Sequence, residues 1–536
     1  MSLTVSHEVI AATTSAEFER LRQYLYKDRD AFIDTQKFSQ AALSDLLSAA
    51  TQRKDTKTVR AIESISLARS GRFDKPIPSF KAFQGVIEEF FKADLIDGWL
   101  YSSGQDGKLY PELITEITYD EGGRSRGSNP EPFVTIHTAC YGLLEGGRNG
   151  IGASRRQHIF QPRTVAKRRI SEILLDQGLY KETQALRADY MATLERHHKT
   201  TQSAFAKQFR VDGAVYKFAE DNYQRKGLVL SARRVIHDLE PSDCGPVQLH
   251  CDSYLFEDGD GDGVGAIPQH PIVKVFDLVA HEFFWVHADN MSPYRYDHSL
   301  RDKLVLPASH RDLLDVLTTD LGAFVNDFVE GKSAGNVILC KGAPGVGKTL
   351  TAEVYSELIE RPLYSIHSGS LGTSAKQIEE NLSIIFQRAE HWGCALLLDE
   401  ADVFVVQRGN NIEQNAIVAE FLRTLEYFNG LLFMTTNRAN DIDEAIISRC
   451  AAIIDYPIPT ARDAAAIWRV MANQFQAPLS DELITGLVEL FPKIAPRDIK
   501  MLFRLALRVA KGDGKEPDLD TFRRCAMFRA IEMQQN

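Results

Sequence analysis

Residues 342–349 read GAPGVGKT, a match to GxxxxGK[ST] that decides the fold of the chain's second half. The apolar run VILCK, 337–341, precedes it and TLTAEVYSELI, 349–359, follows, so the motif lies between a strand and a helix, as a phosphate loop must. In that setting glycines let successive backbone N–H groups curl around phosphate oxygens, and the helix start adds partial positive charge. Gly342, Ala343, Pro344, Gly345, Val346 and Gly347 form the expected cradle, with Leu350 beside it on the first helical turn. Lys348 is expected on the β- and γ-phosphates and Thr349 on a metal, which predicts ATP and Mg2+ as cofactors.

Outward from the loop, ALLLDEAD, 395–402, reads as a buried strand whose end presents Asp399 to the metal and Glu400 to a water. A carboxylate there can take or orient the attacking water's proton. A capped turn would also end in acids, but hydrolysis needs a carboxylate pair at this place. GLLFMTTN, 430–437, ends a second apolar strand in Asn437, which could hold the same water from the other side. Asn also ends strands simply as a turn former, and the ordered set favours the functional reading. From Asn336 to Pro459 short apolar runs alternate with helical stretches. That alternation predicts an α/β core with a mostly parallel sheet covered on both faces, over 336–459, and then a helical lid over 460–536.

In this order GAPGVGKT, LLLDEAD, TTN and ISRC resemble the AAA family of ATPases, over roughly residues 320–508. The resemblance implies a homo-oligomer, a hexameric ring with ATP bound between subunits. It makes Asn437 similar to the sensor-one residue and Arg449, in AIISRC, similar to an arginine finger reaching a neighbour's γ-phosphate. Many members carry two arginines in a longer segment here, whereas Arg449 stands alone in a shorter one, as in clamp-loader ATPases. Arg497, in APRDIKMLFRLALRVA, sits where a lid arginine could meet the phosphates of its own chain; an exposed arginine at a helix start is the other reading. LYSIHSGSLGTSAKQIEENLSIIFQRA, LLLDEADVFVVQR, FLRTLEYFNGLLFMTTNR and SPYRYDHSLRDKLVLP together look like a subgroup, fungal and bacterial, in which a β-rich domain precedes one AAA module.

Ring motors that thread a chain grip it with an aromatic residue soon after the phosphate loop, by stacking and apolar contact. SIHSGSLGTSAKQIEENL, 365–382, has no aromatic there. Leu371 is the sizeable apolar candidate, and it reads better as a buried anchor of the following helix. Two functions follow. One is a chaperone-like motor that hydrolyses ATP to ADP and phosphate and remodels or translocates a protein client, chosen through the β-rich domain, without aromatic-loop threading. The other is a nucleotide-dependent switch or loader acting on nucleic acid or on assembly state. A net charge of −11 favours the protein partner, because non-specific nucleic-acid binding needs a basic excess. The basic stretches Lys167 to Arg169 and Arg196 to Arg210 keep the second reading open.

Upstream, apolar residues at three- and four-residue spacings predict a helical N-terminal segment over 1–78, through FERLRQYLYKDRDAFIDTQ and FSQAALSDLLSAATQ. Alternating runs such as GWLYSS, ELITEITYD and PFVTIHTACYGLL, with Gly, Asn and Pro clusters between them, predict a β-rich α+β domain over 79–290 and a connector over 291–335. Nowhere do eighteen apolar residues run together, so no membrane span is expected. Seven cysteines without a CxxC pair read as reduced thiols of a cytoplasmic protein. EDGDGDGVGAIPQ begins like a calcium loop but has Gln269 where the bidentate acid belongs, and it reads as an acidic turn. His197 and His198 are expected on a helix surface.

Overall fold

The computed structural model describes residues 2–24, 30–55, 58–59, 61–62, 65–66, 72–122, 131–144, 150–217, 227–240, 248–256, 263–319, 336–372, 374–438, 441–529 and 531–534. At the start, β1 (Ser2–Val5) pairs antiparallel with β2 (Ala31–Asp34) beside helices His7–Ala12, Glu19–Tyr24 and Gln40–Gln52. Val5, Val9, Ile10, Phe18, Leu43 and Leu46 form its core. The expectation of helix throughout this segment is corrected at AFID. A four-residue strand is too short to show its period, and its partner lies some thirty residues earlier.

Next comes a five-stranded antiparallel sheet, ordered β6-β5-β4-β3-β7: β3 (Trp99–Ser103), β4 (Leu109–Asp120), β5 (Phe133–Leu143), β6 (Ile151–Phe160) and β7 (Leu179–Lys181). Helix Phe83–Lys92 buries Phe83, Ile87, Phe90 and Phe91, one stripe at helical spacing, against Ile114, Ile136 and Phe160 of the sheet. Each such side chain contributes about 1.5–3 kcal/mol by leaving water. On the sheet's polar side, buried Glu112 accepts from Ser102, Thr138, Arg156 and His158, so its charge is satisfied.

A second antiparallel sheet follows, ordered β13-β12-β9-β8-β14, and β13 also pairs with β8 so that the sheet closes on itself. Its strands are β8 (Gln208–Lys217), β9 (Gly227–His237), β12 (Ile272–Asp277), β13 (Phe283–His287) and β14 (Met291–Pro293); the short pair β10 (His250–Asp252) and β11 (Val264–Ala266) lies between β9 and β12 in the chain. The boundary expected at 290 therefore cuts this sheet, since Met291 pairs with Val211. Helix Gln184–Ser203 carries Tyr190 and His197 inward. His197 is fully buried with Nε2 3.1 Å from the Ile272 carbonyl, which corrects its expected place on a helix surface. The acidic start of the calcium-like stretch, residues 257–262, lies outside the described residues, and the stretch continues into β11.

Five parallel strands make the third sheet, ordered β16-β17-β18-β15-β19: β15 (Asn336–Gly342), β16 (Leu363–His367), β17 (Ala395–Asp399), β18 (Leu431–Thr436) and β19 (Ala452–Tyr456). The central strands are buried almost end to end, as a sheet covered on both faces requires. Helices Ala461–Gln474, Asp481–Leu490, Pro496–Gly512 and Leu519–Met527 close the chain around Trp468, Leu487, Leu502, Phe503 and Phe522. One apolar cluster joins the second antiparallel sheet to the parallel one, uniting Ile236, Phe276 and Leu278 with Tyr364 and Trp392. Among the described residues no helix is long and apolar enough to cross a membrane.

Candidate functional site

β15 ends at Gly342 with φ +147°, where a Cβ would lie 2.4 Å from the Tyr456 carbonyl oxygen, so the turn into the loop needs glycine. Gly345 and Gly347 also take positive φ, and Gly347 starts helix Lys348–Leu358. The Lys348 ammonium donates to the carbonyls of Gly342 and Ala343, each at 2.8 Å, and to Asn437 Oδ1 at 2.9 Å. Burial lowers the Lys348 pKa, and the carboxylates of Asp402 and Asp399 push against that shift. Thr349, one residue on, donates from Oγ1 to Asp399 Oδ1 at 2.8 Å. Val346 is buried beneath the loop, Pro344 is exposed, and Leu350 is exposed on the first helical turn.

Three strand ends converge here because parallel neighbours deliver their C-termini to one edge. β17 brings Asp399 and Glu400, β18 brings Thr435 and, just past its end, Asn437. Thr435 joins the two acids: its hydroxyl donates to Asp399 Oδ1 at 2.6 Å and accepts from the Glu400 N–H at 3.0 Å. Asp402 accepts from the Asn437 N–H at 2.9 Å and from Thr436, which fixes the end of β18. Glu400 sits at φ +53°, exposed, with Oε2 3.0 Å from His367 Nε2 at the end of β16. Ser368 donates to the Glu400 carbonyl at 2.7 Å.

The donor set fits a phosphate chain and a hard divalent cation: an ammonium and loop amides for anionic oxygens, and a hydroxyl beside a carboxylate for Mg2+, which keeps most of its remaining ligands as water and phosphate. Of the residues expected at the site, the loop, Lys348, Thr349, Asp399 and Asn437 come together, and Glu400 adjoins them through its backbone while its carboxylate pairs with His367. The lid meets the loop at Arg497, whose backbone N–H donates to the Gly345 carbonyl at 3.1 Å, and a Cβ on Gly345 would meet Arg497 Cβ at 2.8 Å. Arg449 does not join them. It donates to Glu426 Oε2 at 3.2 Å and to the Ala445 carbonyl, and its Nε is buried without a partner.

Thr435, Asp402 and His367 escaped the reading of the sequence. The first two lie inside the motifs already quoted, and their position next to the acids was the available signal. His367 had none, because its partner is 33 residues away on the neighbouring strand.

In the loop after β16, Leu371 is buried at 1% exposure within the apolar cluster, while Gly369 and Ser370 are exposed and Thr373 lies outside the described residues. Within the basic stretches Arg168 pairs with Asp176, Arg169 with Asp74 and Arg196 with Asp289.

Comparison with known proteins supplies the family. Residues 338–458 match the model of the ATPase family associated with various cellular activities (AAA). Fidgetin-like protein 1 of Drosophila melanogaster is 27% identical over 179 residues, 32% of this chain and 34% of that protein. A katanin p60 ATPase-like protein of Danio rerio is 25% identical over 207 residues, 35% of this chain and 42% of that protein. The matched region thus spans between a third and a half of these relatives. A chain of the E. coli HORMA:CdnC:Trip13 complex aligns with a TM-score of 0.36 and 18% identity, over 44% of this chain and 93% of that one. The phosphate loop, the paired acids and the polar strand end therefore belong to a recognised module: this chain carries an ATPase domain of the AAA family.

Proposed function

We propose that the chain is an ATP-hydrolysing ring motor, a homo-oligomer and by family habit a hexamer, that remodels or translocates a protein client. The observation that carries this reading is the meeting of Lys348, Thr349, Asp399, Glu400 and Asn437 at one sheet edge. Lys348 and the loop amides hold phosphate oxygens, and Thr349 with Asp399 holds the cation side. Mg2+, when bound, neutralises charge on the phosphates. Glu400 takes a proton at its carboxylate from the attacking water, and Asn437 orients that water. Arg449 leaves Glu426 to serve the site of a neighbouring protomer, and Arg497 meets the phosphates of its own.

The β-rich region is the proposed client-binding part. Buried Leu371 supports a motor that does not thread an extended chain, because no large exposed side chain stands in the described part of that loop. The pairing of the basic stretches with acids favours protein over nucleic acid. A cytoplasmic place belongs to the same reading, supported by the six free cysteines among the described residues.

Glu400→Gln tests it. The substitution keeps Lys348, Thr349 and Asp399, so nucleotide binding should stay within about twofold while turnover falls about a hundredfold or more, the contribution of a general base. Lys348→Ala should weaken binding itself. Undiminished turnover in Glu400→Gln would overturn the assignment.

A further inference from the structure

Helix Gln184–Ser203 packs on the first antiparallel sheet, and a cleft of about 430 Å3 opens between it, the β3–β4 turn and the ends of β12 and β13. That volume lies within the usual span of ligand sites. The cleft shares no residue with the phosphate loop or the acids beside it.

One wall is aromatic. Tyr190 stands edge-on to Trp99 at 5.3 Å and donates from its hydroxyl to the Gln269 carbonyl at 2.8 Å, so its ring is held in place. Tyr101 is paired through its backbone with β4 on one side and β7 on the other, and it is therefore its side chain that lines the cleft. That side chain is buried, at 1% exposure, and its hydroxyl has no partner among the described residues. A buried hydroxyl left unpaired is costly, and a ligand that supplies the partner removes the cost.

The charges around this wall are unequal. Three carboxylates line the cleft, those of Asp106, Asp189 and Asp289, against the single ammonium of Lys108. Asp289 is already taken, since Arg196 donates to it at 2.8 Å and Lys108 lies 3.7 Å away. Asp106 accepts from uncharged donors, the Lys108 N–H at 3.0 Å and the Tyr110 hydroxyl. Asp189 is exposed and pairs with nothing among the described residues. His287, 4% exposed, also lines the cleft and adds no positive charge at neutral pH, because burial pushes its pKa down to about 4. Among the described residues no group of His, Cys, Asp and Glu is placed to hold a metal ion, so the surplus negative charge suits an organic cation. A guanidinium meets every part of this lining: it stacks on a tyrosine ring, donates to a carboxylate and keeps an N–H for a hydroxyl.

We propose that this cleft is a binding site for a basic side chain, arginine by preference, of a protein segment, held by Asp189 and by the side chains of Tyr101 and Tyr190. The chain's net charge of −11 draws such a segment in. The inference rests on the reading that the β-rich region binds the client.

The test measures fluorescence anisotropy of labelled Gly-Ser peptides on the full chain, one peptide carrying an arginine pair and the other citrulline in its place, which keeps the shape and removes the charge. The arginine peptide should bind at least about tenfold more tightly than the citrulline peptide, and its binding should weaken as salt rises. Tyr101→Phe removes a hydroxyl that bonds nothing in the chain, so thermal stability should match or exceed wild type while arginine-peptide affinity falls about two- to tenfold, the share of one hydrogen bond. Asp189→Asn should weaken binding about two- to fivefold, and Asp189→Lys by more. Basal ATPase turnover should stay within about twofold in all three variants, because none of them touches the nucleotide site. Equal affinity for the two peptides, no binding of either, or an arginine-peptide affinity unchanged in both Tyr101→Phe and Asp189→Lys would overturn the inference and leave the hydrolysis reading intact. Undiminished turnover in Glu400→Gln would overturn the hydrolysis reading and leave the peptide affinities as they are.

Discussion

Thr435 shows how one hydroxyl can organise two acids. It is 2% exposed, donates to Asp399 and accepts from the Glu400 N–H, so it fixes the Asp399 carboxylate and the Glu400 backbone together. Valine has nearly the same shape and can do neither. Thr435→Val should cost about 0.5–1.5 kcal/mol of stability, because the part-buried Glu400 N–H loses its acceptor. It should lower kcat more than it raises KM, while Thr435→Ser stays near wild type. Chemical denaturation with steady-state kinetics checks this, and a Thr435→Val enzyme with wild-type kcat would mean that the hydroxyl is only a filler. At this scale the sequence was most legible where chemistry and backbone demand the same residue, as at Gly342, Gly345, Gly347, Lys348 and Asp399. It was least legible at His367, whose meaning depends on a neighbour that only the folded sheet supplies.

Among elements, the helix Gln184–Ser203 and the two antiparallel sheets share an uncommon feature, a set of buried histidines. His197 and His237 are fully buried, and His270 and His287 are 2% and 4% exposed. Burial pulls their pKa values down, to about 4 for His197, His237 and His287 and about 3 for His270. Unfolded, each titrates near 6.5. Below that pH the unfolded chain binds more protons than the folded one, so stability is fully present above about 6.5 and is lost as pH falls toward 4. Each histidine can supply a slope of up to about 1.4 kcal/mol per pH unit. Hydrogen exchange at pH 7 and pH 5 should therefore show β8, β9 and β12 losing protection ahead of β15, β17 and β18; equal loss in both groups would contradict this. Such residues were not legible as a group, because strands from distant parts of the chain bring them together. The polar alternation of β6 hid that strand for a related reason: its face is read against β5, not against its own sequence. The central parallel strands β15, β17 and β18 were legible because burial on both faces leaves each one a nearly continuous apolar run.

The whole molecule pairs a recognisable engine with an N-terminal half that the sequence described only coarsely. The engine's order of strand, loop and helix follows local rules. The upstream half closes through contacts such as β14 on β8 and β13 on β8, which no local pattern announces. At this scale the central claim is that the engine works as a ring whose sites are shared between chains. In one chain Arg449 lies on Glu426, away from the phosphate loop, with Nε buried and unpartnered, a position that suits service to a neighbour. The direct measurement is the ATPase rate of two inactive variants, Arg449→Ala and Glu400→Gln, assayed alone and after mixing. Each alone should bind nucleotide and turn over slowly. In an equal mixture roughly a quarter of interfaces join an intact Glu400 to an intact Arg449, so activity should reappear toward that fraction of wild type. A mixture no faster than its parts, with exchange of protomers verified, or full activity from a monomer at every concentration, would contradict the account.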